Sequence, residues 1–415
     1  MFIGLPRQIA YSDVWASETL ERRMAELRSG NIRIAYYYDF PDGSTFRYRV
    51  YNMIQALRSQ PASYSASWFC RADRHWFNQI VDSADILVLC RARYTDKLNH
   101  MITRARNMGR QVVFDVDDLV VDPDYTHLLV HTLDKDMESD SVWEQWFGDI
   151  GRLAAVLRLC DRVITTNEYL ASRIRACSGK EVRIVPNFIN REQLDVSLHI
   201  LNAKKASRFA RDGRIHLGYF SGSPSHDKDF ELISGALARV LSEDPRLRLR
   251  VVGYLNVKGP VLHHQDRIER VPMQDFLNLQ CMIGSTEINL VPLQDNVFTN
   301  CKSELKYFEA GIVGTNTVAS PTFTFRQAIK DGINGYLAGS YEWQSKLSLA
   351  IDSLDAGSEA YIQMAECAFR DCQRKYSTDA LLPAISSALF GGSDIQQLGN
   401  QRADYRNVQT SMKTA

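Results

Sequence analysis

Residues 287–338 read EINLVPLQDNVFTNCKSELKYFEAGIVGTNTVASPTFTFRQAIKDGINGYLA, and the fold is decided by how this stretch parses. The apolar run EINLVPL predicts a buried strand, and the polar segment Gln294–Asn300 a loop. The spacing of Leu305, Phe308 and Ile312 predicts a helix with Lys302 in its first turn, ended by Gly311 or Gly314. TNTVAS reads as the next strand. The segment TFRQAIKDG and the turn pairs Asp331-Gly332 and Asn334-Gly335 close the unit.

Outward from this unit the same alternation runs through the chain twice. The first half carries apolar runs at Ile32–Tyr38, Ile86–Cys90, Val112–Asp115, Arg162–Thr166 and Val182–Pro186. The second carries Ile215–Phe220, Leu247–Gly253, Glu287–Pro292, Thr315–Ser320 and Gly335–Ala338. Short Val/Ile/Leu strands separated by helices indicate parallel sheets covered on both faces. The expected fold class is therefore α/β, with two doubly wound Rossmann-like domains facing across a cleft. The expected divisions are a helical lead-in at 1–30 (Val14, Leu20, Met24, Leu27), a first domain at 31–200 and a linker at 201–213. A second domain follows at 214–375, then a C-terminal helix at 376–390 and a flexible Gly/Gln/Asn-rich tail at 391–415. The whole stretch Asn190–Gly213 is polar and basic.

Composition narrows the class. The 415 residues suggest two to three domains at roughly 150 residues each. Hydrophobic residues make up 45% and charged residues 24%, a globular balance. Lys+Arg and Asp+Glu are both 49, so there is no cationic surplus of the kind general nucleic-acid binding requires. No apolar run approaches the ~20 residues that span a bilayer, and the start has no signal-peptide pattern, so the expectation is a cytoplasmic protein. The eight cysteines form no CxxC pair and are expected as buried thiols. His127, His226, His263 and His264 show no ligand spacing with Cys or Glu, so no metal is expected.

The chemistry concentrates in two places. A Lys at a helix amino end opposes the helix dipole, and an anionic ligand would account for it. Lys302 and Glu309 are two turns apart, about 10 Å along an ideal helix. On that span Lys302 would meet a diphosphate and Glu309 would accept from ribose hydroxyls; a solvated helix face is the alternative. The second place is the small-residue loop Ser221-Gly222-Ser223 with His226 and Lys228, between a parallel strand and a helix, where many folds cradle phosphate. Neither GxxxxGK[ST] nor GxGxxG is present, so no P-loop and no dinucleotide cofactor is indicated.

These features resemble the donor-binding half of the retaining GT-B glycosyltransferases called group 1 (family 4-like). The resemblance rests on GYFSGSPSHDKDF, the strand RVVG, and NLVPL…NCKSELKYFEAGIVGTNTVAS with KDGINGYLA. It is most specific over 287–338. In the first half it rests on IRIAYYYDF…STFRYRVYNM, VVFDVDDLVVDP and RVITTNEYLASRI…VRIVPNFIN. It implies an acceptor-side domain at 31–200 and a nucleotide-sugar donor domain at 214–375. Glu309 matches the second Glu of the family's Glu-x7-Glu motif, and Cys301 stands where the first would be. Lys302-Ser303 matches a variant in which the Lys meets the donor phosphates. Ser221 and Gly222 stand where the family has an Arg, and Lys228 is the expected remnant of its Lys. Gly253-Tyr254 and Val271-Pro272 fall where the base binds.

What the resemblance implies is a metal-independent transfer of sugar from a nucleotide diphosphate sugar, with no resident cofactor. The acceptor would be a glycan, a lipid-linked molecule or another hydroxyl compound, in surface polysaccharide or glycoconjugate synthesis. Lys302, Lys228 and Arg47 are the expected catalytic cations. Gly43, Ser221, Gly222, Ser223, His226, Tyr254, Asn300, Lys302, Ser303 and Glu309 are expected to bind donor. Arg49, Asp117 and Asp118 are expected on the acceptor side. For the aspartates of FDVDD (Asp115, Asp117, Asp118), a divalent cation and turn capping are the other readings. Two further readings are a non-catalytic sugar-nucleotide-binding or scaffolding protein and a GT-B-shaped epimerase. The lead-in helix and the basic residues Lys204, Lys205, Arg208 and Arg211 form an expected peripheral contact with the inner membrane face.

Overall fold

The computed structural model describes residues 1–390 apart from 7, 42, 224 and 356–358; the expected tail at 391–415 lies outside the described residues. Twelve strands form two parallel sheets of six. The first contains β1 (Ile32–Tyr37), β2 (Tyr64–Phe69), β3 (Ile86–Cys90), β4 (Gln111–Asp115), β5 (Arg162–Thr165) and β6 (Val182–Ile184), in the order β2-β1-β3-β4-β5-β6. The second contains β7 (Ile215–Ser221), β8 (Leu247–Gly253), β9 (Ile268–Val271), β10 (Ile288–Val291), β11 (Asn316–Ala319) and β12 (Tyr336–Leu337), in the order β12-β11-β10-β7-β8-β9. The central strands β3, β4, β7 and β10 are buried along their whole length apart from Gln111, which is why they read as apolar runs. Two strands were not expected, β2 and β9. Both lie at sheet edges, and their Ser and charged residues (YSASWF, IERV) hide them among loops.

Each sheet reverses its winding once: between β1 and β3 in the first, between β7 and β10 in the second. Ligands of open parallel sheets bind outside the carboxyl ends of the strands at such reversals. The register fixes which residues emerge there. Cys90 lies opposite Asp115 in the first sheet, and Ser221 opposite Gly253 in the second.

The segment expected as a linker differs. Residues Arg191–Ala206 form one helix capped by the Asn190 side chain on the Gln193 amide. It packs on helix Phe276–Ser285, where Gln280 donates to the Ser197 hydroxyl at 2.7 Å. Lys204 is fully buried and its Nζ donates to the Gly314 carbonyl and the Thr315 hydroxyl, both at 3.0 Å. It therefore offers no charge to a membrane surface. Only Lys205, Arg208 and Arg211 of that expected patch remain, and Lys205 pairs with Glu366 while Arg211 donates to the Leu354 carbonyl.

The chain ends cross between domains. The lead-in is helical only at Val14–Ser17 and Leu20–Leu27. Before that it lies on the second domain: Phe2 is buried beside Phe209 and Tyr361, and the Ile9 amide donates to Asn278. At the other end, after helix Glu359–Tyr376, residues 378–390 are helical and return to the first domain, where Phe390 stacks on Tyr64 at 5.1 Å. One apolar core consequently includes residues of both domains, among them Tyr48, Phe188, Ile200 and Phe308. No disulfide joins the cysteines, six of which are buried. Among the described residues no helix is long and apolar enough to cross a membrane.

Candidate functional site

A cavity of about 870 Å³ opens between the two sheets at their reversals. Residues after β1 (Gly43–Thr45, Arg47, Tyr48), β3 (Arg91) and β4 (Asp117, Asp118) form one wall. Residues at the end of and after β7 (Ser221–Ser223, His226) and those after β10 (Lys302, Ser303, Lys306, Glu309) form the other. Tyr11–Asp13 of the crossing N-terminal segment lines it beside Phe276.

The wall from the second domain is cationic. Helix Leu305–Gly311 begins later than the sequence suggested: Glu304 is its cap, and Lys302 precedes it, after a short turn of helix at Val297–Asn300. Lys302 Nζ lies 4.5 Å from the Phe298 ring centre and 3.7 Å from Asp118 across the cleft. Lys306 stands behind it, half-buried, with its Nζ 5.1 Å from the Tyr219 ring centre. Desolvation lowers the Lys306 pKa to about 8, with Lys302 adding to the shift and Asp229 and Glu309 opposing it. Lys306 was not singled out from the sequence. The available signal was its position four residues after Lys302 in the expected helix, where residues i and i+4 share a face.

The small-residue loop lies beside these lysines. The Ser221 hydroxyl donates to the Ser223 carbonyl, and the Ser223 and Ser225 hydroxyls are 2.7 Å apart. Gly253 holds a positive φ of 88°, and a Cβ there would sit 2.0 Å from the Ser221 carbonyl oxygen, so only glycine lets β8 pass this loop. His226 Nδ1 is 3.0 Å from Asp229 Oδ2. Burial pushes the imidazole below its ordinary pKa despite that bond, with Lys306 and Lys302 acting in the same direction. A neutral ring whose Nδ1–H meets a carboxylate presents Nε2 as an acceptor.

Glu309 is nearly buried yet reaches the cavity. Its Oε1 accepts from the Tyr48 hydroxyl and, at 3.4 Å, from Arg47, which also donates to Gln193. Arg47 lies over the rings of Tyr48 and Phe276 at 4.2 and 4.6 Å. Among the described residues Oε2 has no protein partner and remains an acceptor. Opposite, Arg91 Nε is 2.5 Å from Asp117, and its Nη2 is 3.4 Å from Asp118. The structure thus brings Gly43, Arg47, Asp117, Asp118, Ser221, Gly222, Ser223, His226, Lys302, Ser303 and Glu309 to one cavity.

Four expected site residues stand elsewhere. Arg49 is fully buried and pairs with Asp115 through Nε (2.7 Å) and Nη2 (2.9 Å), its Nη1 donating to the Val185 carbonyl; it is an internal tie between β4 and the β6 loop. Lys228 bonds the His131 carbonyl at 2.9 Å and pairs with Asp134, a clasp between domains. Asn300 bonds Asp295 and the Asn296 carbonyl and accepts from the Phe323 amide, holding its own loop. Tyr254 is half-exposed and does not line the cavity; Val252 and Met273–Phe276 do. Cys301 is buried in the apolar core of the first domain with Phe298, and its carbonyl accepts from Asn167. Among the described residues no three or more His, Cys, Asp or Glu side chains are grouped to hold a metal ion.

No protein-family model and no curated protein sequence matches the chain. Solved structures do. HepE of Anabaena, crystallised with UDP, superposes with a TM-score of 0.55 at 14% identity, over 86% of this chain and 99% of that one. A glycosyltransferase of Rickettsia africae superposes at 0.57 and 10% identity, over 87% and 99%. WaaG, a glycosyltransferase involved in lipopolysaccharide biosynthesis, does so at 0.55 and 13%, over 86% and 100%. Two parallel six-stranded sheets meeting at a cleft, with chain ends that cross it, are the GT-B glycosyltransferase fold, and this chain has it.

Proposed function

We propose that the protein is a retaining, metal-independent glycosyltransferase. It takes a sugar from a nucleotide diphosphate sugar and passes it to a hydroxyl acceptor. The observation that carries this reading is the pair Lys302 and Lys306 beside the Ser221–Ser223 loop, in one cavity with a nearly buried Glu309. Breaking an anomeric C–O bond puts charge on the departing diphosphate, and fixed cations aimed there lower the barrier. The two ammonium groups, with Arg47 on the facing wall, supply that charge from the protein itself. Glu309 Oε2 accepts from ribose, and the neutral His226 offers Nε2 to a sugar hydroxyl. Retention follows from front-face attack, in which the leaving phosphate takes the acceptor proton. The reading agrees with the UDP and UDP-glucose complexes of HepE, a protein of the same fold. The naming of WaaG for lipopolysaccharide biosynthesis supports an acceptor in surface polysaccharide or glycoconjugate synthesis.

The test is a thermal-shift screen with UDP, GDP and dTDP. A specific ligand stabilises by RT ln(1+[L]/Kd), so one nucleotide should raise the Tm well above the others. The matching sugar nucleotide should then release its sugar, to acceptor or slowly to water, in the presence of EDTA. Lys302→Ala should weaken the diphosphate more than the nucleoside. No stabilisation by any diphosphate would end the proposal. The buried Cys301 at the first motif position favours one second reading, a sugar-nucleotide binder without turnover. Tight binding with no transfer and no hydrolysis would select it.

A further inference from the structure

A second cavity, of about 530 Å³, shares one wall residue, Arg91, with the cavity described above. It lies at the reversal of the first sheet. Tyr38, Asp39 and Phe40 enter it from the end of β1, Arg93 from the end of β3, and Trp146 and Asp149 from helix Asp140–Leu159. No sequence feature pointed to it, because its residues come from three separate segments.

Its chemistry is specific. Arg93 bridges two carboxylates, with Nη1 3.3 Å from Asp39 Oδ2 and Nε 2.9 Å from Asp149 Oδ1. Asp39 Oδ1 also accepts from the Tyr37 hydroxyl at 2.9 Å, so the group is held from both sides. Among the described residues Asp149 Oδ2 has no protein partner. Arg91, the other cation, is paired with Asp117 and Asp118, so the pocket carries no surplus positive charge for an anion. Around these polar groups stand three aromatic rings, with Phe40 half-exposed. Flat apolar faces beside fixed carboxylate and guanidinium edges fit a molecule with an apolar C–H face and a rim of hydroxyls. That description is a neutral pyranose. The volume lies within the range of small-molecule sites, about 300–1,000 Å³.

We propose that this second cavity binds a neutral sugar unit of the acceptor, with its ring on Trp146 or Phe40 and its hydroxyls on Asp149 and Arg93. The shared Arg91 wall sets that unit next to the donor cavity, so the acceptor is a neutral glycan end rather than a phosphate or an acidic sugar. The inference rests on the transferase reading for the word acceptor, while the sugar site itself stands on this pocket alone.

The experiment is saturation-transfer difference NMR on the full chain with methyl glycosides of glucose, galactose and mannose, and with glucuronate, each with and without UDP, GDP or dTDP. At least one neutral glycoside should receive saturation, and its affinity should fall about tenfold or more in Trp146→Ala and in Phe40→Ala. Asp149→Asn should also weaken it. Diphosphate binding in all three variants should stay as in the wild type, which also shows that they fold. Binding of no neutral glycoside, preference for glucuronate, displacement of the glycoside by a nucleoside diphosphate, or unchanged binding in Trp146→Ala and Phe40→Ala would each overturn the proposal. Glycoside binding without any diphosphate binding would leave this site standing and remove the donor reading; the reverse result would do the opposite.

Discussion

Raising the pH from 7 to 9 should weaken diphosphate binding as Lys306 loses its proton. With a pKa near 8, its ammonium is about nine-tenths charged at pH 7 and about one-tenth at pH 9. A hydrogen bond to a charged group contributes about 1.5–3 kcal/mol, which would raise its pKa by about 1–2 units in the complex. Linkage then makes Kd rise about five- to ninefold between pH 7 and 9. Other groups near the cavity do not confuse the window. His226 is pushed below the ordinary imidazole range and stays neutral across it, while burial drives Tyr11 and the Cys301 thiol upward. The unliganded fold should behave oppositely. A lysine whose folded pKa is depressed leaves the unfolded chain binding more protons, so its contribution to stability grows as pH climbs from about 8 toward the ordinary lysine value. Calorimetric titration of the best-stabilising diphosphate at pH 7, 8 and 9 is the assay, with the nucleoside as control. Lys306→Arg keeps its charge and should flatten the profile; Lys306→Met should be weak and flat. A wild-type fall that persists unchanged in both variants would refute the assignment.

Three other outcomes follow from the same geometry. Arg49→Ala leaves the Asp115 carboxylate buried without its partner, a loss of about 3–5 kcal/mol that urea unfolding would register; a change within 0–1 kcal/mol of the surface-pair kind would mean the pair is solvated. Lys228→Ala should alter diphosphate Kd less than about twofold, because it breaks only a half-exposed clasp to Asp134 and His131, and a tenfold loss would return Lys228 to the site. Glu309→Gln should bring the ratio of Kd for the 2′-deoxy and ribose forms of the preferred diphosphate down from about tenfold or more toward one; an unchanged ratio would show that Glu309 serves only Tyr48 and Arg47.

The paired sheets were legible because central parallel strands buried on both faces, such as β3 and β10, read as apolar runs, and ten of the twelve strands were found from such runs. The two that escaped, β2 and β9, are edges where one side needs no apolar partner. Helix Arg191–Ala206 was hidden by its composition. Its lysines and arginine suggested solvent, yet Lys204 folds inward onto two oxygens, a tertiary fact that local polarity cannot express. Most of the cleft residues were legible because they follow the carboxyl ends of readable strands. Arg49 was not: its partner Asp115 is 66 positions away, and alternation within a helical turn cannot distinguish a cation aimed at a cleft from one aimed at the sheet. Lys228 and Lys306 exchange places for a related reason. Both flank the cavity in sequence, and only the packing of Tyr219 under Lys306 and of His131 against Lys228 separates them.

The displaced start of helix Leu305–Gly311 changes what would hold an anion there. Had the helix begun at Lys302, its free amides would have met the phosphate directly, as at other helix amino ends. Instead the cap is Glu304, whose carboxylate accepts from Tyr376 and lies at the very end the dipole makes positive. With seven residues the dipole is short, and the Glu304 side chain, whose carboxyl burial pushes above the ordinary range, occupies that end. Little helix-end attraction therefore remains for a ligand, and the side-chain charges of Lys302 and Lys306 must supply it. That shift, from backbone amides to side-chain ammonium groups that include the titratable Lys306, is why diphosphate affinity in this protein should depend on pH above neutrality, whereas an amide cradle would show no such dependence.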